Sequence, residues 1–143
     1  WSVFAVAAKD GVFVITAAGA RQGSAGELLD TQQLVLRSTD GFNFEIVYEQ
    51  PYINTSGQSD FGEIKPVGEG GFVASGRGGV LVSTDAGLTW TRRAMDPPPK
   101  QMRSNGSVVV ASRTTGSSGA NECWYTTNGA MWRRSSAQEG NVL

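Results

Sequence analysis

A turn-like segment that occurs three times limits what this chain can fold into more than any other feature of the sequence. The fullest copy, STDAGLTW, runs from residue 83 to residue 90. Two copies that are one residue shorter, STDGFNF and TTNGAMW, begin at residues 38 and 126. Starts at 38, 83 and 126 indicate three similar supersecondary units that follow one another along the chain.

The segments around each copy have the pattern of β-strands. Short apolar runs precede the copies at 34–36, 80–82 and 123–125, and earlier runs lie at 12–15, 72–74 and 108–111. Alternation broken by Gly, Asn and Asp is typical of antiparallel strands, and no segment keeps a helical stripe for long. Because propeller blades repeat every ~40–45 residues, we predict an all-β chain, a single propeller segment over 1–143, with four-stranded antiparallel blades near 1–50, 51–96 and 97–137.

The repeated segment has three possible roles: a ligand site, a catalytic carboxylate or a turn between the third and fourth strands. The turn is favoured, because Asp or Asn accepts nearby backbone N–H groups and Ser or Thr offers a second local partner. Glycine permits a backbone conformation that a Cβ would penalise, and the closing aromatic can pack between sheets. The turn residues are Ser38, Asp40, Gly41, Phe44, Ser83, Asp85, Gly87, Trp90, Thr126, Asn128, Gly129 and Trp132.

The central copy resembles the Asp-box of bacterial neuraminidase repeats, which has the form S-x-D-x-G-x-T-W, and the outer copies resemble degenerate versions of it. This resemblance implies a sialidase-like β-propeller, a fold shared by sialidases, other glycoside hydrolases, photosystem assembly factors, sortilin-type receptors and phage tail proteins. In that family the box is a structural hairpin away from the active site. The resemblance therefore implies a fold and leaves the chemistry open.

Three blades are fewer than the four to eight with which propellers typically close. Since a blade hides its faces only against its neighbours, two sheet faces would stay uncovered. The alternatives are a longer propeller, sister subunits that complete a ring, and a partner domain over the ends. We expect that this polypeptide is not a free monomer.

Composition excludes several classes of function. The chain has 12 basic and 13 acidic residues, no histidine and one cysteine, Cys123. The balanced charge disfavours nucleic acid as a partner, and the usual His and Cys metal sites, His-based triads and internal disulfides are ruled out. No apolar run reaches the roughly 18 residues of a membrane span, so no membrane insertion is expected. No cofactor and no metal are expected either. Cys123 aligns with Val35 and Val80, which predicts a buried position.

Ligand sites in the resembled family lie on the face opposite the box turns. The connections expected there are 17–33, 49–61, 76–79, 95–100 and 113–122. Mixed polar side chains on loops suit recognition of sugars or protein surfaces, although they also occur on solvated connectors. The candidate ligand-binding residues are Arg21, Glu27, Asp30, Tyr52, Asn54, Asp60, Arg77 and Arg113.

A catalytic reading is the main alternative. By the resemblance, a sialidase would need an arginine cluster, for which Arg21, Arg77 and Arg113 are candidates, with Tyr52 and Asp60 nearby. The FRIP sequence typical of sialidases is missing. A two-carboxylate glycosidase would pair Asp30 with Asp60 or Asp96, but nothing fixes their separation.

The function expected from the sequence is a noncatalytic recognition or assembly module that binds glycan or protein. An extracellular or virion surface is the setting that the resemblance suggests. A fragment of a sialidase-like glycoside hydrolase and a purely structural scaffold subunit are the alternatives.

Overall fold

The computed structural model of the chain describes residues 2–51, 61–76, 78–115 and 120–135, which form twelve strands and no helix. The strands are β1 Ser2–Lys9, β2 Val12–Gln22, β3 Leu28–Ser38, β4 Glu45–Pro51, β5 Phe61–Val67, β6 Gly71–Gly76, β7 Gly79–Ser83, β8 Thr91–Ala94, β9 Gln101–Ser104, β10 Val109–Thr115, β11 Ala120–Thr126 and β12 Arg133–Arg134. The predicted all-β class is confirmed for this part of the chain.

The strands form three antiparallel sheets, each of four strands that pair in chain order. The first sheet contains β1–β4, the middle sheet β5–β8 and the third sheet β9–β12, with spans 2–51, 61–94 and 101–134. The predicted three units are thus confirmed as three four-stranded antiparallel sheets. The described residues do not form a closed ring of sheets.

Each sheet is built from hairpins whose turns have recognisable chemistry. Lys9 pairs with Val12 across a two-residue turn, Asp10-Gly11, in which both residues have positive φ, 51° and 76°. Asp-Gly is a favoured pair for such a turn because its twist matches that of the flanking strands. The turn therefore fixes the register of β1 against β2.

The middle sheet lies between the other two. Successive side chains of a strand point to opposite faces, and along β6 Phe72 joins one apolar cluster and Val73 another. The Phe72 cluster includes Val14 and Val35 of the first sheet, and the Val73 cluster includes Met102 and Val109 of the third. Because both faces are covered, every residue of β7 is buried.

The first strands of the three sheets lie next to one another, β1 beside β5 and β5 beside β9. Their turns meet at one end. The ammonium of Lys9 donates hydrogen bonds to the carbonyl of Gly106, at 2.6 Å, and to that of Gly68, while the Gly68 N–H donates to Ser107 O at 2.9 Å. One side chain of the first sheet thus ties together turns of the other two.

Candidate functional site

The three repeated turns, which connect β3 to β4, β7 to β8 and β11 to β12, are the best defined polar sites in the described structure. In the central turn Ser83 Oγ accepts the N–H of Gly87 at 3.0 Å and donates to Asp85 Oδ1 at 2.8 Å. Asp85 Oδ1 also accepts the backbone N–H of Thr89 at 2.9 Å, and Asp85 Oδ2 accepts the Thr89 hydroxyl at 2.5 Å. Both carboxylate oxygens are therefore committed within the turn.

The outer turns repeat this arrangement. Gly41 and Gly129 donate their N–H groups to the hydroxyls of Ser38, at 2.9 Å, and of Thr126, at 2.8 Å. These hydroxyls donate in turn to Asp40 Oδ1, at 2.9 Å, and to Asn128 Oδ1, at 3.3 Å. The amide oxygen of Asn128 makes the bond of a carboxylate, which explains why Asn can replace Asp in the third copy.

The glycine of each turn has φ close to +80°, at +79° for Gly41, +77° for Gly87 and +79° for Gly129. The tryptophans that close the second and third turns donate their indole N–H to these glycines. Trp90 donates to Gly87 O and Trp132 to Gly129 O, both at 3.0 Å. Glycine is the residue that adopts this backbone conformation without steric cost, and its carbonyl orients the closing ring.

The extra residue of the central turn, Ala86, joins two sheets. It has a positive φ of 58°. Its N–H donates to Gly70 O at 2.7 Å, in the turn between β5 and β6, and its carbonyl accepts from Arg37 Nε of the first sheet at 2.8 Å. The longer copy of the repeat therefore contacts the preceding sheet through the residue that the other copies lack.

These hydrogen bonds lower the pKa values of the two turn aspartates in different ways. The N–H and side-chain amide of Asn43, together with the Phe42 N–H and the Ser38 hydroxyl, hold the pKa of Asp40 far below its usual value. At Asp85 desolvation is the largest influence and raises the pKa, but the bonds from Thr89 and Ser83 together outweigh it, so the pKa is lowered. Both groups are ionised near neutral pH and act as hydrogen-bond acceptors.

The predicted ligand residues that the structure describes lie toward the end of the sheets opposite the repeated turns; they are Arg21, Glu27, Asp30 and Arg113. In the first sheet Phe13 pairs with Ser38 beside the turn, whereas Arg21 pairs with Asp30 at the other end of β2 and β3. Similarly, the pairs Gly76–Gly79 of β6 and β7 and Thr115–Ala120 of β10 and β11 lie at the strand ends away from the repeated turns. Arg21 and Asp30 are thus brought opposite each other on neighbouring strands.

The loop expected at 17–33 is mostly strand, which corrects the sequence interpretation. Strands β2 and β3 extend to Gln22 and from Leu28, so the connection is only 23–27. Hydrophobic periodicity missed this because polar and small residues in an extended hairpin resemble a loop. Within the short connection the carboxylate of Glu27 accepts the N–H of Ala25 at 3.1 Å and is therefore part of its own turn.

Arg113 is the candidate ligand residue whose side chain is best defined, and its guanidinium is held by the protein. Only 7% of the residue is exposed. Its Nε donates to Pro97 O at 2.7 Å, and its Cζ lies 4.5 Å from the centre of the Trp124 ring. The Trp124 indole donates to Glu122, which also pairs with Arg134 at 3.0 Å. Four remaining candidates lie outside the described residues: Tyr52, Asn54, Asp60 and Arg77.

A partly buried polar network between the first and middle sheets was not predicted from the sequence. Gln33, which is fully buried, accepts from Gln50 Nε2 at 2.8 Å, and Gln50 Oε1 accepts from Tyr48 and from Arg92, both at 3.1 Å. Two buried polar atoms nearby on the same face, Thr16 Oγ1 and Gln33 Nε2, have no hydrogen-bond partner. The sequence signal for this network was Gln33, a polar residue two positions before the apolar Val35 on the same strand.

Cys123 is exposed, so the prediction of a buried cysteine is wrong. The alignment with Val35 and Val80 places all three residues on the same side of their sheets, but this side is covered only in the first and middle sheets. In the third sheet it borders an open groove of about 360 Å³, lined among others by Arg103, Val110 and Cys123. The burial of Cys123 was predicted wrongly because the third sheet is the last of the stack, and no further described sheet covers this side.

Among the described residues, no group of three or more His, Cys, Asp or Glu side chains could hold a metal ion, and no helix there is long and apolar enough to cross a membrane. Comparison with protein families, with curated proteins and with solved structures finds no match. The geometry of the chain itself therefore carries the functional argument.

Proposed function

We propose that this chain is a segment of an Asp-box β-propeller and serves as a noncatalytic recognition or assembly module. The observation that carries the proposal is the sharing of one hydrogen-bond pattern by three turns at the same place in three stacked four-stranded sheets. Stacked blades hide their faces only against neighbours. A turn that is repeated in every sheet, and that contacts the preceding sheet in the second and third copies, fits that architecture.

Recognition is assigned to the end of the sheets away from the repeated turns. Binding residues are commonly carried by connections on a rigid scaffold, and this end carries the connection 23–27 and the paired Arg21 and Asp30. Tyr52, Asn54, Asp60 and Arg77 complete the proposed ligand face. The ligand class is glycan or protein, on an extracellular or virion surface, as the Asp-box resemblance implies.

The noncatalytic part of the proposal rests on how the described ionisable groups are used. A general acid must hold a proton near the working pH, whereas the pKa values of Asp40 and Asp85 are lowered. Arg113 is held by Pro97 and Trp124 and is nearly buried. These side chains stabilise the fold and leave recognition to the exposed connections.

A glycan array and a fluorogenic sialoside assay on the whole chain test this function. We expect binding on the array without turnover of the sialoside, and weaker binding by Tyr52→Ala and Arg21→Ala with unchanged circular dichroism. Phe42→Ala is the matched control, because Phe42 is 90% exposed but lies in the first repeated turn. Turnover would favour the glycoside hydrolase alternative, and variants that change only assembly would favour the scaffold alternative.

A further inference from the structure

In the described part of the chain, the two outer sheets of the stack each have one uncovered face, and these faces are different. We call the face that carries Phe13 and Ile15 the leading face of the first sheet. We call the face that carries Val110, Cys123 and Tyr125 the trailing face of the third sheet. Within the stack, the leading face of each later sheet packs on the trailing face of the sheet before it.

The leading face of the first sheet corresponds, residue by residue, to the leading faces of the middle and third sheets, which are covered by the preceding sheet. Phe13, Phe72 and Val109 occupy the same place, each paired with the Ser or Thr that starts a repeated turn. Phe72 is 1% exposed and Val109 0%, whereas Phe13 is 36% exposed. Val6 and Ile46, in the cross-strand row of Ile15 on the same face, are 62% and 50% exposed. The leading face of the first sheet is thus an apolar face without the neighbour that its two equivalents have.

The contact between two stacked sheets has a fixed register. A Cβ on Gly87 would lie 3.0 Å from Val14 of the first sheet, with Arg37 next to it, and these two residues are cross-strand partners. A Cβ on Gly129 would lie 3.1 Å from Val82 and 3.3 Å from Val73 of the middle sheet, which are also cross-strand partners. The glycine of a repeated turn therefore sits over one cross-strand pair of the preceding trailing face.

The same rule identifies the place where Gly41 would sit. Its own neighbour in the structure is Phe13 of the same sheet. On the trailing face of the third sheet, the pair equivalent to Val14 and Arg37 is Val110 and Tyr125, and Val110 is 43% exposed.

Charge agrees with this register. Arg103 and Arg133 flank Val110 and Tyr125 in the same cross-strand row. The turn that would dock there carries the ionised carboxylate of Asp40. Opposite charges favour this orientation of the two surfaces over like-with-like pairing.

We propose that the occupant of the leading face is a second copy of this chain, docked by the trailing face of its third sheet, so that Gly41 of one copy lies over Val110 and Tyr125 of the other. The proposal rests on the blade architecture of the proposed function. Contacts of this head-to-tail kind close into rings or continue as filaments. Two copies supply six sheets, which is within the range in which propellers close.

Sedimentation of the whole chain at increasing concentration tests the contact. We expect a reversible dimer, and we expect Phe13→Arg and Val110→Arg each to weaken it by about tenfold or more, because each would place a charge inside the apolar contact. Leu88→Arg is the matched control, since Leu88 is 50% exposed but belongs to the turn of the middle sheet. It should leave the dimer intact.

The single thiol supplies a second readout that does not depend on the variants. Cys123 lies on the docking surface, so its reaction with a disulfide reagent should slow as the chain concentration rises and recover in Phe13→Arg. A monomer at the highest soluble concentration overturns the proposal. A dimer weakened by Phe13→Arg but not by Val110→Arg also overturns it, because two leading faces would then be paired.

The outcome is separable from that of the proposed function. Glycan binding by a chain that remains monomeric would remove the docking proposal alone. A dimer with these mutational effects but no array signal would remove glycan as the ligand and leave the docking contact.

Discussion

At the scale of single residues, the molecule depends on short polar side chains that hold three turns in one shape. Asn128 lacks the charge of Asp40 and Asp85, and the turn of Asp85 is longer, yet each of the three accepts a hydroxyl and at least one downstream N–H group. Their common role is to supply an acceptor oxygen at a fixed position. In the third turn an uncharged acceptor is sufficient, as Asn128 shows.

This role gives a prediction for Asp85. Replacement by Ala removes an acceptor that serves Ser83 and Thr89 and should lower the free energy of unfolding by about 1–3 kcal/mol, whereas Asp85→Asn should cost less. Since the folded pKa of Asp85 lies below the ordinary value of 3.8, its ionised form stabilises the fold above that value and the contribution is lost as the pH falls below it.

Urea unfolding at several pH values measures both effects. Between about pH 5 and about pH 2 the unmodified chain should lose more stability than Asp85→Asn, because the variant has no carboxylate to protonate. Parallel losses in the two proteins would contradict the assignment.

A second residue-scale prediction separates backbone strain from packing. Gly11 and Gly87 have nearly the same φ, +76° and +77°, but a Cβ at Gly11 meets nothing within 4 Å, whereas one at Gly87 approaches Val14 to 3.0 Å. Gly11→Ala should cost about 1–2 kcal/mol from its left-handed backbone. Gly87→Ala should cost more by about 1 kcal/mol or more. Chemical denaturation of both variants tests this, and equal losses would show that the turn does not press on the first sheet.

At the scale of strands and sheets, the position of a strand pair in the stack decides what its side chains contribute. Phe72 and Phe13 are equivalent residues, one covered by the first sheet and the other partly exposed. Phe72→Ala should lower the free energy of unfolding by about 3–5 kcal/mol. Phe13→Ala should lower it by less than half as much in the monomer. Thermal or urea unfolding at low concentration provides the comparison.

The strands themselves were largely predictable, whereas the covering of their faces was not. Alternation and Gly, Asn and Asp turns predicted four strands per unit and the turn before β4, β8 and β12. Position 123 shows the limit: Val35, Val80 and Cys123 share one pattern, but whether a residue with that pattern is buried depends on the next sheet. Local sequence carries no information on that neighbour. For the same reason, the network around Gln33 could not be predicted, since its partners include Arg92 of another sheet through Gln50.

At the scale of the whole molecule, a few polar contacts connect all three sheets. Lys9 reaches carbonyls of the middle and third sheets, so Lys9→Met should lower the free energy of unfolding by about 1–3 kcal/mol. Lys100→Met is the control, because Lys100 is exposed. Unfolding followed by tryptophan fluorescence measures both, and an equal effect of the two changes would contradict this role for Lys9.

The spacing of the turns predicted the number of sheets, but it could not predict how the outer faces of the stack are covered. The repeat spacing gives the number of units. Whether the sheets close into a ring depends on the angle between neighbouring sheets and on the surfaces at Phe13 and Val110. Those surfaces are recognisable only after the internal contacts of Gly87 and Gly129 show what a complete interface looks like.

The complete burial of β7 has a consequence for the independence of the repeats. Both sides of β7 pack against other repeats. The strand therefore loses buried apolar contacts, and the stability that they provide, when either neighbouring sheet is removed. The three units are copies in sequence but not autonomous modules in energy, so a middle unit cut out and expressed alone should remain an unfolded peptide.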